Sequence, residues 1–158
     1  MKKKIALAGA LFGAAGGAAV AQDLAGIEEV LVTSRRVEEK LQDVPVAITA
    51  FTSADLERQA IRNVNDLASF TPNLTLNTGV NGRNVVPVIR GIAQIDARGF
   101  DNAVGVFIDG IFVSGRAAQN PGMLDLERVE VIKGPQSALY GRNTFSGAIN
   151  YVTRPVGD

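Results

Sequence analysis

The 158-residue chain contains no cysteine, no histidine and no tryptophan. Without Cys and His there is no zinc site, no thiol nucleophile, no His-based triad and no ordinary haem ligation. A catalyst would have to be built from carboxylates, lysines or serines alone, and no Ser lies in a GxSxG turn. The expectation is a protein that is not an enzyme, with no catalytic residues, no metal and no cofactor. A surplus of charge of either sign is lacking too, since 16 Lys and Arg balance 16 Asp and Glu. Discounting Lys2, Lys3 and Lys4 leaves 13 basic residues against 16 acidic, a net of −3, which argues against nucleic acid as a partner.

What is present begins with a leader. Lys2 to Lys4 form a positive n-region, Ile5 to Val20 is an Ala/Gly-rich apolar run, and Ala19-Val20-Ala21 supplies the small residues of a cleavage site. Four glycines dilute the run, which is short for a bilayer-spanning helix. Residues 1–21 therefore read as a secretory signal peptide, and export without cysteine suits a bacterial envelope protein that does without disulfides. Residues 22–43 are polar except for Val30-Leu31-Val32 and read as a flexible arm carrying one short extended segment.

A compact domain is expected to open at Val44-Pro45, where VPVAITAF has strand composition. Thr52 or Ser53 can cap a helix with Asp55 in its first turn, Asn63 can restart a second one, and Thr71-Pro72 stops it. Two strands follow, Asn73 to Asn77 and Val85 to Arg90, with Pro87 pointing to an edge or a bulge. Asp109-Gly110 is the favoured pair for a type I′ turn and predicts a hairpin of 104–108 with 111–114. Phe107 then faces Phe112 across the strands, and the apolar residues on both faces predict burial on both sides. Val129 to Thr153 adds a strand, the Gly134-Pro135 turn, a helical turn to Tyr140 with Pro135 at its first position, Gly141 in αL, a polar loop and the alternating strand GAINYVT. Glu127, Arg128, Glu130 and Lys133 read as local pairs on an exposed strand face. The fold class is α+β, a small mixed β-sheet with short flanking helices.

The stretch VEVIKGPQSALYGRNTFSGAINYVT resembles the end of the plug domain of TonB-dependent outer-membrane receptors. Further family-like landmarks stand in family order: Glu29 to Thr33, Gln42 to Pro45, Pro72-Asn73-Leu74, Arg90-Gly91-Ile92, Ile108-Asp109-Gly110, Leu126 to Val131 and Gly134-Pro135-Gln136. The resemblance implies a plug over 44–156, with 157–158 opening a barrel that is missing from this chain. It also implies a TonB-box segment for contact with a periplasmic energy transducer, placed at Glu29, Val30, Leu31, Val32 and Thr33. Arginines that lock the plug to the inner barrel wall are implied at Arg90 and Arg142. Three outward loops, Thr78 to Asn84, Gln94 to Asn102 and Gly115 to Asn120, are implied to meet a small-molecule substrate such as a ferric siderophore, with Asn81, Arg83, Gln94, Asp96, Arg98, Arg116 and Gln119 as candidates. Asp109, Gly110, Gly134, Pro135 and Gly141 are the structural turns.

Such barrels have 22 strands, and at roughly 10 residues each the wall needs on the order of 220 residues. The chain is thus expected to be a fragment, a truncated product or a free-standing plug. As part of a full receptor it would gate uptake of a ferric chelate or similar scarce nutrient across the outer membrane. The alternative is a soluble periplasmic binding or adaptor module that keeps the plug fold. Ten-residue alternating segments encoded past Asp158 would favour the first.

Overall fold

The computed structural model describes residues 30–33, 37–78, 85–92, 102–114, 121–123 and 125–155. The leader, Glu29 and most of the three candidate substrate loops lie outside the described residues. The chain enters as two very short strands, β1 (Leu31–Val32) and β2 (Glu39–Lys40), paired antiparallel with Leu31 opposite Lys40. A 3₁₀ turn over Leu41–Asp43 follows, its Leu41 N–H donating to the Val30 carbonyl at 3.0 Å. The sequence predicted a free arm here; instead Val32 is fully buried.

Strand β3 (Ala47–Thr52) begins three residues later than its composition suggested, with Val44 buried ahead of it. Thr52 then caps α1 (Ser53–Arg58): its hydroxyl accepts from the Asp55 N–H, and the Asp55 carboxylate accepts from the Thr52 N–H, a reciprocal capping box. Burial of Asp55 would raise its pKa, but the hydrogen bonds from Thr52 and the adjacent Arg58 outweigh it and hold the carboxyl below its usual value. Asn63 caps α2 (Val64–Phe70) by accepting from the N–H groups of Asn65 and Asp66. Leu56, Val64 and Leu67 turn inward at helical spacing.

Strands β4 (Leu74–Thr78) and β5 (Val85–Ile89) form a separate two-stranded ladder, which leaves Pro87 on a strand with a partner on one side only. The main sheet has five strands in the order β3, β8 (Leu126–Lys133), β9 (Gly147–Thr153), β6 (Val104–Ile108) and β7 (Ile111–Phe112). Its pairings are antiparallel except β6 with β9, so the sheet is mixed, as expected. The Asp109-Gly110 turn has φ 49° and 77°, as type I′ demands, and sets Phe107 opposite Phe112. Burial on both sides holds for β6 alone. Strand β7 is the sheet's edge, and Ile111 is 72% exposed.

Two cores result. Val129, Val131, Ile149 and Tyr151 pack with Val106, Phe51, Leu56, Leu67 and Ile89 on one side of the sheet. Phe107, Ile132, Tyr140 and Ala148 form a smaller cluster on the other. The Tyr140 ring meets Phe107 edge-on at 4.7 Å and belongs to α3 (Ser137–Tyr140). Gln136 holds the N-cap position of α3 without a side-chain capping bond, so Pro135 stands before it rather than at the first helical position. Gly141 has φ 80° but ψ −159°, outside αL and in a region open essentially to glycine alone.

Candidate functional site

Arg90 does not end a strand quietly. With φ 56° it shares a tight turn with Gly91 at φ 74°, closed by the Ile92 N–H donating to the Ile89 carbonyl at 3.1 Å. A left-handed arginine costs backbone energy, and such outliers gather at functional sites. The turn delivers the guanidinium to Gly134: a Cβ added there would stand 3.3 Å from Arg90 Nη1. Lys133 is the immediate neighbour, and its pKa lies below the ordinary lysine value, first because it is partly desolvated and then because Arg90 repels its charge. Neither cation has an ion pair among the described residues. Two like charges held this close repel one another, and an anion between them would relieve the repulsion.

Arg142, the other expected lock residue, is exposed on the loop after α3 and makes no ion pair among the described residues. Lys133 was missed as a partner of Arg90 because it read as one member of a solvated charge run. The signal available in the sequence was its place directly before the Gly134-Pro135 turn.

That charge run is corrected by the structure in a second way. It does not lie on an exposed face: Glu130 is fully buried and Arg128 nearly so. The Glu130 Oε1 accepts from Arg128 Nε at 2.9 Å, and its Oε2 from the Asn150 side-chain amide at 3.5 Å. Arg128 also pairs with Glu127 through Nη1. The remaining donors to Glu130 come from the N-terminal segment, Thr33 N–H at 2.7 Å and Thr33 Oγ1 at 3.1 Å. Of the expected transducer-contacting residues, Leu31 is exposed, Val30 and Thr33 are half-buried, and Val32 is inaccessible. Full exposure of this segment is therefore not what the structure has, because β2 and Glu130 both take up its polar groups.

The Asp109-Gly110 turn sits in the same neighbourhood. Asp109 accepts from the Thr153 N–H and hydroxyl, both at 2.9 Å, and the Gly110 N–H donates to the Asn150 side-chain oxygen at 3.3 Å. Gly134 N–H donates to the Ser146 carbonyl at 2.9 Å, which closes the loop carrying α3 back onto β8. An open groove runs past Thr33, Glu38, Asp109, Glu127, Arg128 and Thr153. Among the described residues no cluster of three or more Asp or Glu could hold a metal ion, and no helix is long and apolar enough to cross a membrane. Asn81, Arg83, Gln94, Asp96, Arg98, Arg116 and Gln119 all lie outside the described residues.

Comparison with known proteins places these features in context. The model of the TonB-dependent Receptor Plug Domain matches residues 40–148. The Iron-regulated outer membrane virulence protein of Vibrio cholerae serotype O1 is 29% identical over 149 residues, covering 86% of this chain and 22% of that protein. Vitamin B12 transporter BtuB of Vibrio vulnificus is 29% identical over 138 residues, covering 84% of this chain and 22% of that protein. The crystal structure of the ferric yersiniabactin uptake receptor FyuA from Yersinia pestis is similar with a TM-score of 0.61 at 26% identity, over 69% of this chain and 17% of that one. The chain thus spans about a fifth of the length of the curated relatives it matches. Because the family match runs from β2 into β9 and takes in the Arg90 turn, the hairpin and the Gly134-Pro135 loop, the chain belongs to the TonB-dependent receptor plug domain family.

Proposed function

We propose that this chain is the gate of an outer-membrane transporter for a ferric chelate, opened by force from a periplasmic energy transducer. The observation that carries the reading is the plug-domain match over 40–148 with an extended segment, Leu31–Val32, standing just ahead of it. The outer membrane has no nucleotide or ion gradient of its own, so energy must arrive by contact. A short strand whose backbone adds to a partner's sheet edge provides that contact, and its hydrogen bonds pass tension along the chain to the plug. Relatives named for iron regulation and for ferric yersiniabactin uptake support a ferric chelate as the substrate.

In this reading the plug is seated by its barrel through Arg90, with Lys133 beside it. Carboxylates on the barrel wall would accept from both cations, and Arg142 is a second candidate from the exposed loop. The loops Thr78 to Asn84, Gln94 to Asn102 and Gly115 to Asn120 would meet the substrate. In this reading the leader at 1–21 exports the chain, and the outer membrane is its place as part of a full receptor.

Proline at position 31 tests the reading. Strand addition depends on backbone N–H groups, so Leu31→Pro should stop uptake in a receptor carrying this plug, while Leu31→Val should be nearly silent. Ligand binding should be equal in all three forms. Uptake at the unmutated rate in the proline variant would remove 29–33 as the transducer contact.

A further inference from the structure

A carboxylate at the centre of a sheet is costly to bury, and an apolar side chain at position 130 would serve the fold at least as well. Glu130 nevertheless shows no exposed surface. Its Oε1 is shared between one donor from its own strand, Arg128 Nε at 2.9 Å, and two from a residue 97 positions away, Thr33 N–H at 2.7 Å and Thr33 Oγ1 at 3.1 Å. Arg128 Nη2 reaches the same hydroxyl at 3.4 Å. The shortest of these bonds engages the Thr33 backbone N–H, the kind of donor that a strand-adding partner requires.

We propose that Glu130 is a positioning residue: it is the seat on which the N-terminal segment rests, and it sets how often Leu31 to Thr33 is free for another protein. The seat deepens the reading of 29–33 as the transducer contact and rests on that reading for its consequence. Only the fraction of molecules with Thr33 lifted off can pair outward, so the partner's apparent affinity falls by that fraction. Lifting Thr33 off does not orphan the buried charge, because Arg128 and Asn150 stay bonded to Glu130. Release is therefore reversible, and it costs charge-assisted hydrogen bonds rather than an unpaired ion.

Amide exchange followed residue by residue by NMR on the full chain tests the seat. In Glu130→Gln, which keeps the shape and removes the charge, the Thr33 amide should exchange about tenfold faster relative to the amides of β8 and β9. No selective acceleration at Thr33 overturns the proposal. Should Glu130→Gln fail to fold, Thr33→Ala removes only the hydroxyl and its bonds to Glu130 and Arg128. After correction for intrinsic rates its own amide should exchange roughly two- to tenfold faster with the sheet unchanged, and an unchanged rate overturns the proposal equally. Binding of a transducer's periplasmic C-terminal domain separates the two ideas. Tighter binding in step with faster exchange supports both. Selective exchange at Thr33 with no binding in any form leaves Glu130 as the seat and removes 29–33 as the contact.

Discussion

The two faces of the β8–β9 ladder are built from alternate residues of the same two strands, yet they hold the molecule by different physics. One face presents Val129, Val131, Ile149 and Tyr151, all fully buried in the larger core. The other begins with Ile132 and Ala148 and then changes to Glu130, Asn150 and Arg128, with Thr33 laid on top. Apolar contacts are non-directional and give way together, when the whole face meets water. The charge-assisted bonds of the second face are few, directional and exchangeable for bonds to another partner. One face therefore secures the domain while the other carries the contacts that can be undone without unfolding it.

The largest effect expected is on the apolar face. Ile149→Ala should lower unfolding free energy by about 2–5 kcal/mol, through lost transfer energy and the cavity left behind; the shift in denaturant midpoint measures it. A loss under about 1 kcal/mol would mean that this face is not what secures the domain. A middling effect is expected at the turn tied to the polar face. Gly110 has φ 77° with open space around it, so the cost of Gly110→Val is backbone strain rather than collision, about 1–2 kcal/mol. A melting curve identical to the parent would contradict the turn's conformation.

The smallest effect belongs to the cation pair. Lys133 is charged at neutral pH in both states, but its folded pKa is lowered, so the charge opposes folding below that pKa. As pH rises through the folded value toward the unfolded one, 10.5, the opposition disappears. Lys133→Met should thus leave the isolated chain as stable as the parent or slightly more so at pH 7, within about 0.5 kcal/mol, and the gap should close in alkali. In a receptor the same change should loosen the plug, read as leakage of a bulky antibiotic. Marked destabilisation of the isolated chain at pH 7 would mean that Lys133 already has a partner within the plug.

Much of this was readable from the chain because it is local. The Thr52 capping box, the Asn63 cap and the Asp109-Gly110 turn each depend on residues within a few positions, whose side chains and φ preferences settle the matter between them. The alternation in GAINYVT likewise sorts Ala148 and Asn150 from Ile149 and Tyr151 on to opposite faces. Burial of Glu130 was not readable, since two of its donors come from a residue 97 positions earlier and local spacing favoured a solvated run. The exposure of β7 depends on strand order, which hairpin periodicity does not encode. Arg90 met Lys133 only because β5 ends in a left-handed turn, and neither Arg90 nor its surroundings carry a turn signal except Gly91.

The position of β9 also bears on how the domain comes into being. Among the described strands it comes last in sequence but stands in the middle of the sheet, flanked by β8 on one side and β6 on the other. Until Gly147 to Thr153 has emerged, the long-range β3–β8 ladder and the β6–β7 hairpin are separate pieces, each with an open edge available for wrong pairing. Two ladders then close at once, one antiparallel and one parallel to a strand some forty residues back. Closure this late and this non-local makes folding slow, and it leaves an exported chain exposed to aggregation in the interval. The step that completes the sheet also brings Thr153 to Asp109, so the exit from the last strand is fastened at the moment the fold becomes whole.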